Sequence, residues 1–253
     1  MSVRKVRDAV VLMGAFIAVL WILQVFNWAD GYRLDYQLGI LPHQVSRLPD
    51  IFVAPLLHVS WQHIEGNTVP LFVLGVLAAY RGIVKFLLLT LIVAVTSGLA
   101  VWLFQGGDAP TVGASGLIFG YFGYVVIRGF FDRNLLDVGV GIVAGILYWT
   151  ILQVAIPGTP GISWIGHLGG LFGGVLAAWV LRARPAVGAG PRGWTTGFGG
   201  RAVRPGGPGR APSAGSAGSP GSRDSATPGR APGAHPGSKA AEDLLRELEE
   251  KGI

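Results

Sequence analysis

The chain has 253 residues, of which 51% are hydrophobic and only 13% are charged, and its formal net charge is +6. This composition, together with a mean hydropathy of +0.51, excludes an ordinary soluble domain and favours a membrane protein. The chain contains no cysteine, so thiol nucleophiles, disulfides and cysteine-based metal sites are excluded. Any chemistry must therefore use oxygen and nitrogen groups.

Apolar stretches follow one another from the N-terminal region to Leu181 and predict membrane-spanning helices. The six stretches are Ala9–Phe26, His63–Tyr80, Ile83–Phe104, Ser115–Ile127, Val138–Ile156 and His167–Leu181. Several are rich in glycine and somewhat short, so we expect the fourth helix to be buried among its neighbours. The first lacks a small-residue cleavage site and is expected to remain as a membrane helix. The sequence therefore predicts an all-α, polytopic membrane protein whose six-helix transmembrane domain spans residues 1–184.

Lysine and arginine residues are distributed unequally about these stretches. One side carries Arg4, Lys5, Arg7, Arg81, Lys85, Arg128, Arg133, Arg182 and Arg184. The other side carries only Arg33 and Arg47. By the positive-inside rule, we expect a multi-pass protein of the plasma membrane with both termini in the cytoplasm.

The C-terminal part of the chain differs in composition. Residues 185–237 are dominated by Gly, Pro, Ala, Ser and Arg without hydrophobic periodicity, which predicts a disordered cytoplasmic linker. Its arginines could contact anionic lipid, or the segment could be a solvated linker only. Residues 238–253 predict a short amphipathic helix, for which a partner-binding helix and a frayed tail both stay open.

A serine and a histidine lie inside two of the apolar stretches. Ser115 opens a stretch that carries no charge until Arg128, and His167 opens one that stays uncharged until Arg182. With a rise of about 1.5 Å per residue, Ser115 lies about 20 Å and His167 about 22 Å from the same face of the membrane. The two groups thus share a depth, near the extracytoplasmic face, and are candidates for a nucleophile and its base.

Two further polar residues lie at this depth. The same count from Arg81 places Asn67 about 21 Å from that face, with His63 one turn higher. Because the two residues are spaced i, i+4, their side chains project from one face of a helix. Together with the free backbone N–H groups at the start of the helix that Ser115 opens, they are candidate donors to an oxyanion. Asn67 could also tie two helices together, and the two roles are compatible.

Glycines explain how the serine and the histidine could meet. Small residues at every fourth position allow two helix backbones to approach closely. Phe119, one turn below Ser115, would face the same contact and could stack on His167; otherwise it is ordinary core. The glycines expected to pack around the Ser–His pair are Gly113, Gly116, Gly166 and Gly170.

Three segments together carry a family resemblance. His58–Asn67, Gly113–Gly116 and Gly166–Gly170 resemble the rhomboid intramembrane serine proteases in order, spacing and topology. The resemblance covers about residues 9–184 and implies a six-transmembrane-helix bundle. It also implies that the substrates are single membrane-spanning helices, cut near or within the bilayer.

The resemblance assigns roles to the polar residues. Ser115 matches the nucleophile and His167 the base, with no acid to complete a triad, and His63 and Asn67 match the residues that help hold the oxyanion. We expect transmembrane proteins and the lipid bilayer as partners, no nucleic acid, and no metal or other cofactor.

The sequence departs from the family pattern in several places. The predicted first extracytoplasmic loop, Asn27–Ile51, lacks the Trp-Arg pair that is common there. Gly66 stands where a bulky residue often precedes the asparagine, and Glu65 is an unusual neighbour that we expect to point away from the catalytic face. His58 is expected to order its loop rather than to react.

Other functions fit the sequence less well. No His-Glu-x-x-His motif of a zinc protease is present, and Gly113–Leu117 does not form the G-x-S-x-G motif of soluble hydrolases. A transporter with a proton relay would spread its polar residues across the bilayer, whereas here they cluster at one depth. A non-catalytic rhomboid-like protein that binds and routes membrane helices remains the alternative. Because both the serine and the histidine are present, the sequence favours a serine endopeptidase.

Overall fold

A computed structural model describes residues 3–150 and 162–182, which form helices and one isolated antiparallel bridge between Ile40 and Thr111, without a strand among them. The α-helices are α1 (Val3–Ala29), α2 (Arg33–Leu38), α3 (Trp61–Ala79), α4 (Ile83–Phe104), α5 (Ser115–Asp132), α6 (Leu135–Leu147) and α7 (Trp164–Val180). Short 3-10 helices, Val45–Phe52 and Ala54–Leu56, lie between α2 and α3. The predicted linker and terminal helix lie outside the described residues.

The all-helical prediction is confirmed for these residues, whereas the number of membrane spans is not. By length and hydropathy, α1 and α4 are candidate membrane spans, and α6 and α7 are shorter apolar helices of 13 and 17 residues. The helix at the predicted fifth stretch begins at Leu135, before the predicted start at Val138. The Asn134 side chain accepts hydrogen bonds from backbone N–H groups at the start of α6 and so begins the helix at Leu135. α6 ends at Leu147, and the predicted end of the stretch at Ile156 lies outside the described residues.

α5 is the central helix of the bundle. It contacts α3, α4, α6 and α7, and it packs most closely against α7. More than half of its side chains are buried, including the large aromatic residues Phe119 and Tyr121. The expectation that the fourth apolar helix is buried is therefore confirmed.

Glycines bring the backbones of α5 and α7 into direct contact. A Cβ atom on Gly170 would lie 2.1 Å from the carbonyl oxygen of Gly116, and one on Gly174 would lie 1.9 Å from the carbonyl oxygen of Gly120. Neither position can hold a side chain unless the two helices separate. The glycine contacts therefore fix the short distance between the first turns of α5 and α7.

The C-terminal end of α5 holds a buried ionic cluster that the sequence analysis did not predict. Arg128 is only 4% exposed, lies over the Tyr124 ring and donates a hydrogen bond of 2.7 Å to Asp137 of α6. Asp137 is also 3.1 Å from Arg81, which pairs in turn with Asp132. Arg128, from which the depth count started, therefore has its charge compensated within the bundle, and α5 continues beyond it to Asp132.

Candidate active site

α5 and α7 bring Ser115 and His167 together. The Nε2 atom of His167 lies 2.9 Å from Oγ of Ser115, within hydrogen-bond distance. The Phe119 ring stacks on the imidazole, with 4.3 Å between ring centroids and 10° between planes, as expected from the sequence. His167 is buried, so the ring is held by packing on one face and by the serine at its edge. With Nε2 as the acceptor, the imidazole is placed to take the serine proton.

Ser115 is the first residue of α5, and this position supplies backbone donors. No side chain caps the helix, whose N-cap residue is Ala114. The N–H groups of the first turn have no intrahelical partner, and the positive end of the helix dipole lies there. Gly113 turns the chain into the helix with φ +125°, and a Cβ atom at this position would lie 2.6 Å from the His63 ring. The turn therefore places the serine, its backbone N–H and the His63 ring side by side.

His63 and Asn67 line the same cavity as the Ser–His pair. This cavity has a volume of about 500 Å³. Asn67 is buried, and neither its Nδ2 atom nor Nδ1 of His63 has a hydrogen-bond partner among the described residues. A buried donor without a partner in a cavity wall is available to a bound group. The structure thus brings together all four polar residues that the sequence singled out.

His58 orders more of the site than its own loop. It is fully buried, and its Nε2 accepts a hydrogen bond of 3.4 Å from the backbone N–H of Ala114, the residue before the serine. Burial, with a smaller contribution from His63, lowers the pKa of His58 to about 3, so the ring stays neutral and able to accept. Asn27 donates to the His58 carbonyl and to the buried Asp35 carboxylate. Burial raises the pKa of Asp35, and the hydrogen bond from Asn27 opposes this rise.

The loop between α1 and α3 is held by contacts other than the Trp-Arg pair that it lacks. Arg47 pairs with Asp50 and donates hydrogen bonds to the carbonyls of Gly39 and Tyr36. The Trp102 indole of α4 donates to a further loop carbonyl at 3.0 Å. Since the acceptors other than Asp50 are backbone carbonyls, no side-chain motif marks them in the sequence.

Several cavity residues carried no recognisable signal. Ser97 and Gln105 of the α4 segment line the cavity beside the Ser–His pair, and sequence reasoning missed both. Glu65 is exposed, in agreement with its expected orientation away from the site. In residues 3–150 and 162–182, no three His, Asp or Glu side chains form a cluster suited to a metal ion. The expectation that no metal or cofactor is required stays a prediction.

Comparisons with known proteins place the chain in a family. A family model described as the rhomboid domain matches residues 42–184. An uncharacterized protein of Mycobacterium tuberculosis is 38% identical over 176 residues, which cover 66% of this chain and 73% of that protein. The putative rhomboid protease YdcA of Bacillus subtilis is 28% identical over 185 residues, covering 70% of this chain and 89% of YdcA. The rhomboid protease GluP of the same organism is 31% identical over 137 residues, covering 53% of this chain and 26% of GluP. Because the family match spans more than half of the chain, the chain belongs to the rhomboid family.

Proposed function

We propose that the protein is an intramembrane serine endopeptidase that cleaves single-pass transmembrane substrates, with Ser115 as nucleophile and His167 as base. The observation that carries the proposal is the 2.9 Å distance between Nε2 of His167 and Oγ of Ser115. A serine is a weak nucleophile until a neighbouring base accepts its proton, and this pair meets that requirement. A family member that only binds and routes membrane helices has no need of such a pair.

In the first half of the reaction, Oγ of Ser115 attacks the carbonyl carbon of the scissile peptide while Nε2 of His167 accepts the hydroxyl proton. The carbonyl electron pair moves to oxygen and forms a tetrahedral oxyanion. The backbone N–H of Ser115 and the side chains of His63 and Asn67 donate to this oxygen, and being fixed beforehand they need no reorganisation. The imidazolium then gives its proton to the leaving nitrogen as the C–N bond breaks, and an acyl group remains on the serine.

In the second half, water replaces the leaving amine. His167 removes a proton from the water as its oxygen attacks the acyl carbon, and a second oxyanion forms in the same place. When this intermediate collapses, the ester bond to Ser115 breaks and the serine oxygen recovers a proton from the imidazolium. The products are a new carboxyl terminus and the regenerated pair, so protons and electrons balance over the cycle.

The proposed setting is the plasma membrane, with α1, α3, α4, α5, α6 and α7 as six spans, both termini in the cytoplasm and the Ser–His pair toward the extracytoplasmic side. Large apolar side chains are exposed along the outer faces of α1, α4, α6 and α7, as a lipid solvent requires and water disfavours. The uneven distribution of lysine and arginine supports the orientation. Residues 185–237 would then lie near the cytoplasmic leaflet, where their arginines can meet anionic lipid.

The test uses the purified protein and a fluorogenic transmembrane substrate. Ser115→Ala and His167→Ala should each lower kcat by about 10⁶-fold, because the two residues act as one unit. Ser46→Ala, which changes an exposed loop serine, is the matched control and should leave kcat unchanged. A fluorophosphonate should label Ser115, labelling should be lost in the His167 variant, and EDTA should have no effect. Substantial residual cleavage by folded Ser115→Ala would show that Ser115 is not the nucleophile.

A further inference from the structure

Gln105, directly after α4, lies between the two segments that lead into the catalytic helices. Its Nε2 atom donates a hydrogen bond of 2.7 Å to Oγ1 of Thr111, and its Oε1 atom accepts one from the Ser163 hydroxyl. A primary amide carries a donor and an acceptor on one planar group, so a single side chain satisfies both hydroxyls. All three residues line the catalytic cavity.

The two partners of Gln105 are each tied to a residue of the Ser–His pair. Thr111 precedes Ser115 in the chain and is fixed to Ile40 by two backbone hydrogen bonds of 2.9 and 3.0 Å. Ser163 is the N-cap of α7, and its Oγ accepts a hydrogen bond of 3.1 Å from the N–H of Gly166, the residue before His167. The amide therefore spans the gap between the segment that leads into α5 and the first turn of α7.

Ser97, within α4, makes a similar contact deeper in the bundle. Oγ of Ser97 donates a hydrogen bond of 2.8 Å to the carbonyl of Gly166. The same oxygen would lie 2.3 Å from a Cβ atom on Gly116, so it rests against the backbone beside Ser115. Ser97 of α4 thus contacts both α5 and α7, although α4 supplies none of the four residues proposed to act on the substrate.

We infer that Gln105 is a positioning residue, whose amide holds the start of α7 at a fixed distance from the segment leading into α5 and so sets the contact between His167 and Ser115. This inference rests on the proposed function. The two catalytic groups lie on different helices, so a small tilt of α7 changes the distance from Nε2 to Oγ directly. A misplacement of about 1 Å can lower the rate about 10²-fold.

The test compares four single variants of the full-length protein and one double variant. Gln105→Leu keeps the side-chain volume and removes both hydrogen bonds, and Thr111→Val removes the partner hydroxyl at nearly constant shape. In Gln105→Glu, the carboxylate can accept hydrogen bonds from both hydroxyls, because the Thr111 hydroxyl can rotate to donate. This variant is the rescue variant. Gln44→Ala, which changes an exposed glutamine in the preceding loop, is the control.

We expect Gln105→Leu to lower kcat and the rate of Ser115 labelling by about 10- to 100-fold, with KM unchanged. Gln105→Glu should recover most of this loss. The double variant Gln105→Leu/Thr111→Val should be no slower than Gln105→Leu, since both substitutions remove the same bridge. Wild-type kcat and labelling rate in folded Gln105→Leu would overturn the inference. So would a double variant in which the effects of Gln105→Leu and Thr111→Val on kcat multiply.

Hydrogen exchange separates this inference from the proposed function. Gln105→Leu should speed amide exchange both at Thr111–Ala114 and at Gly166–His167, whereas Gln44→Ala should speed neither. This readout does not require catalysis. If Ser115 in the wild type is not labelled, the proposed function fails, and the exchange data still decide whether Gln105 couples the two segments. Unchanged exchange in Gln105→Leu would refute the bridge even in an active protease.

Discussion

The two ends of α5 are held by opposite kinds of interaction. At its N-terminal end, Ser115 lies 2.9 Å from the His167 imidazole. The cavity there is also lined by His63 and Asn67, whose buried atoms Nδ1 and Nδ2 have no hydrogen-bond partner among the described residues. At its C-terminal end, Arg128 is buried within a cluster of alternating charges. The cluster can be charged because every charge in it is compensated permanently. The N-terminal end must stay neutral and partly unpaired, because the charge it is proposed to stabilise exists only during the reaction.

This difference separates stability from rate. A hydrogen bond between neutral groups makes a net contribution of about 1 kcal/mol to the free energy of unfolding. Leaving a buried charge without its partner lowers that free energy by about 3–5 kcal/mol. Substitutions at the C-terminal end of α5 should therefore change mainly the free energy of unfolding. Substitutions at the N-terminal end should change mainly kcat.

The largest expected effect is on stability. Asp137→Ala leaves Arg128 buried without its partner and should lower the free energy of unfolding by about 3–5 kcal/mol, while kcat per folded molecule stays near the wild-type value. Equilibrium unfolding in detergent measures the first quantity, and turnover normalised to the folded fraction measures the second. Asp8→Ala, which removes a more exposed ion pair on α1, should cost at most about 1 kcal/mol. Equal costs for the two variants would contradict the comparison.

The next effect is on rate. Asn67→Ala removes a donor proposed to hold the oxyanion and should lower kcat by about 10²–10³-fold with little change in stability. A reactive fluorophosphonate should still label Ser115, because the nucleophile and its base remain. Gln62→Ala, an exposed amide on the same helix, should leave kcat unchanged. If Asn67→Ala lowered only the melting temperature, the residue would serve to tie helices together.

The sequence predicted the residues around the Ser–His pair because their chemistry is local or periodic. The fixed rise of a helix placed Ser115 and His167 at one depth, and the i, i+4 spacing placed His63 and Asn67 on one face. The structure brings these groups to one cavity. Their roles in catalysis remain proposals, but their proximity follows from the regular geometry of helices.

Residues whose partners are distant in sequence could not be found in this way. Gln105 bonds to hydroxyls on both sides of the cavity, and His58 bonds to a backbone N–H, so neither contact leaves a motif. The ion pairs of Arg128 with Asp137 and of Arg81 with Asp132 likewise join separate segments of the chain, so no local pattern marks them. The largely apolar residues after Gly145 gave no sign that α6 ends at Leu147.

A smaller effect tests the packing that joins the catalytic helices. Gly170→Ala places a methyl group against the Gly116 carbonyl and should push α7 away from α5, lengthening the Ser–His contact and lowering kcat about 10²-fold. Gly145→Ala is the matched control, because a Cβ atom at this helical position meets no atom within 4 Å. That variant should keep kcat and gain up to about 1 kcal/mol of stability from better helix propensity. Wild-type turnover in folded Gly170→Ala would show that the pair tolerates separation of its helices.

The smallest effect concerns the dependence of stability on pH. Burial lowers the pKa of His58 to about 3 in the folded protein, against an ordinary value of 6.5, so between these values the unfolded chain binds a proton that the folded protein does not. Its contribution to stability is therefore fully present above pH 6.5 and is lost as the pH falls below it, with a slope of up to about 1.4 kcal/mol per pH unit. Asp35 has the opposite effect, because burial raises its pKa. Its contribution to stability is lost as the pH rises from its ordinary pKa through the raised one.

Thermal unfolding in detergent at pH 7.5, 6.5 and 5.5 measures the contribution of His58. His58→Gln keeps an acceptor for the Ala114 N–H but cannot take up the proton, so its stability should fall less over this range than that of the wild type. Gln44→Ala, which changes an exposed side chain that does not titrate, should keep the wild-type slope. Because the neutral ring bonds the residue before Ser115, His58→Gln should also retain most of kcat at pH 7.5. If the stability of His58→Gln fell with pH as steeply as that of the wild type, another group would take up the proton. The pH dependence would then not report on the bond between His58 and the segment before α5.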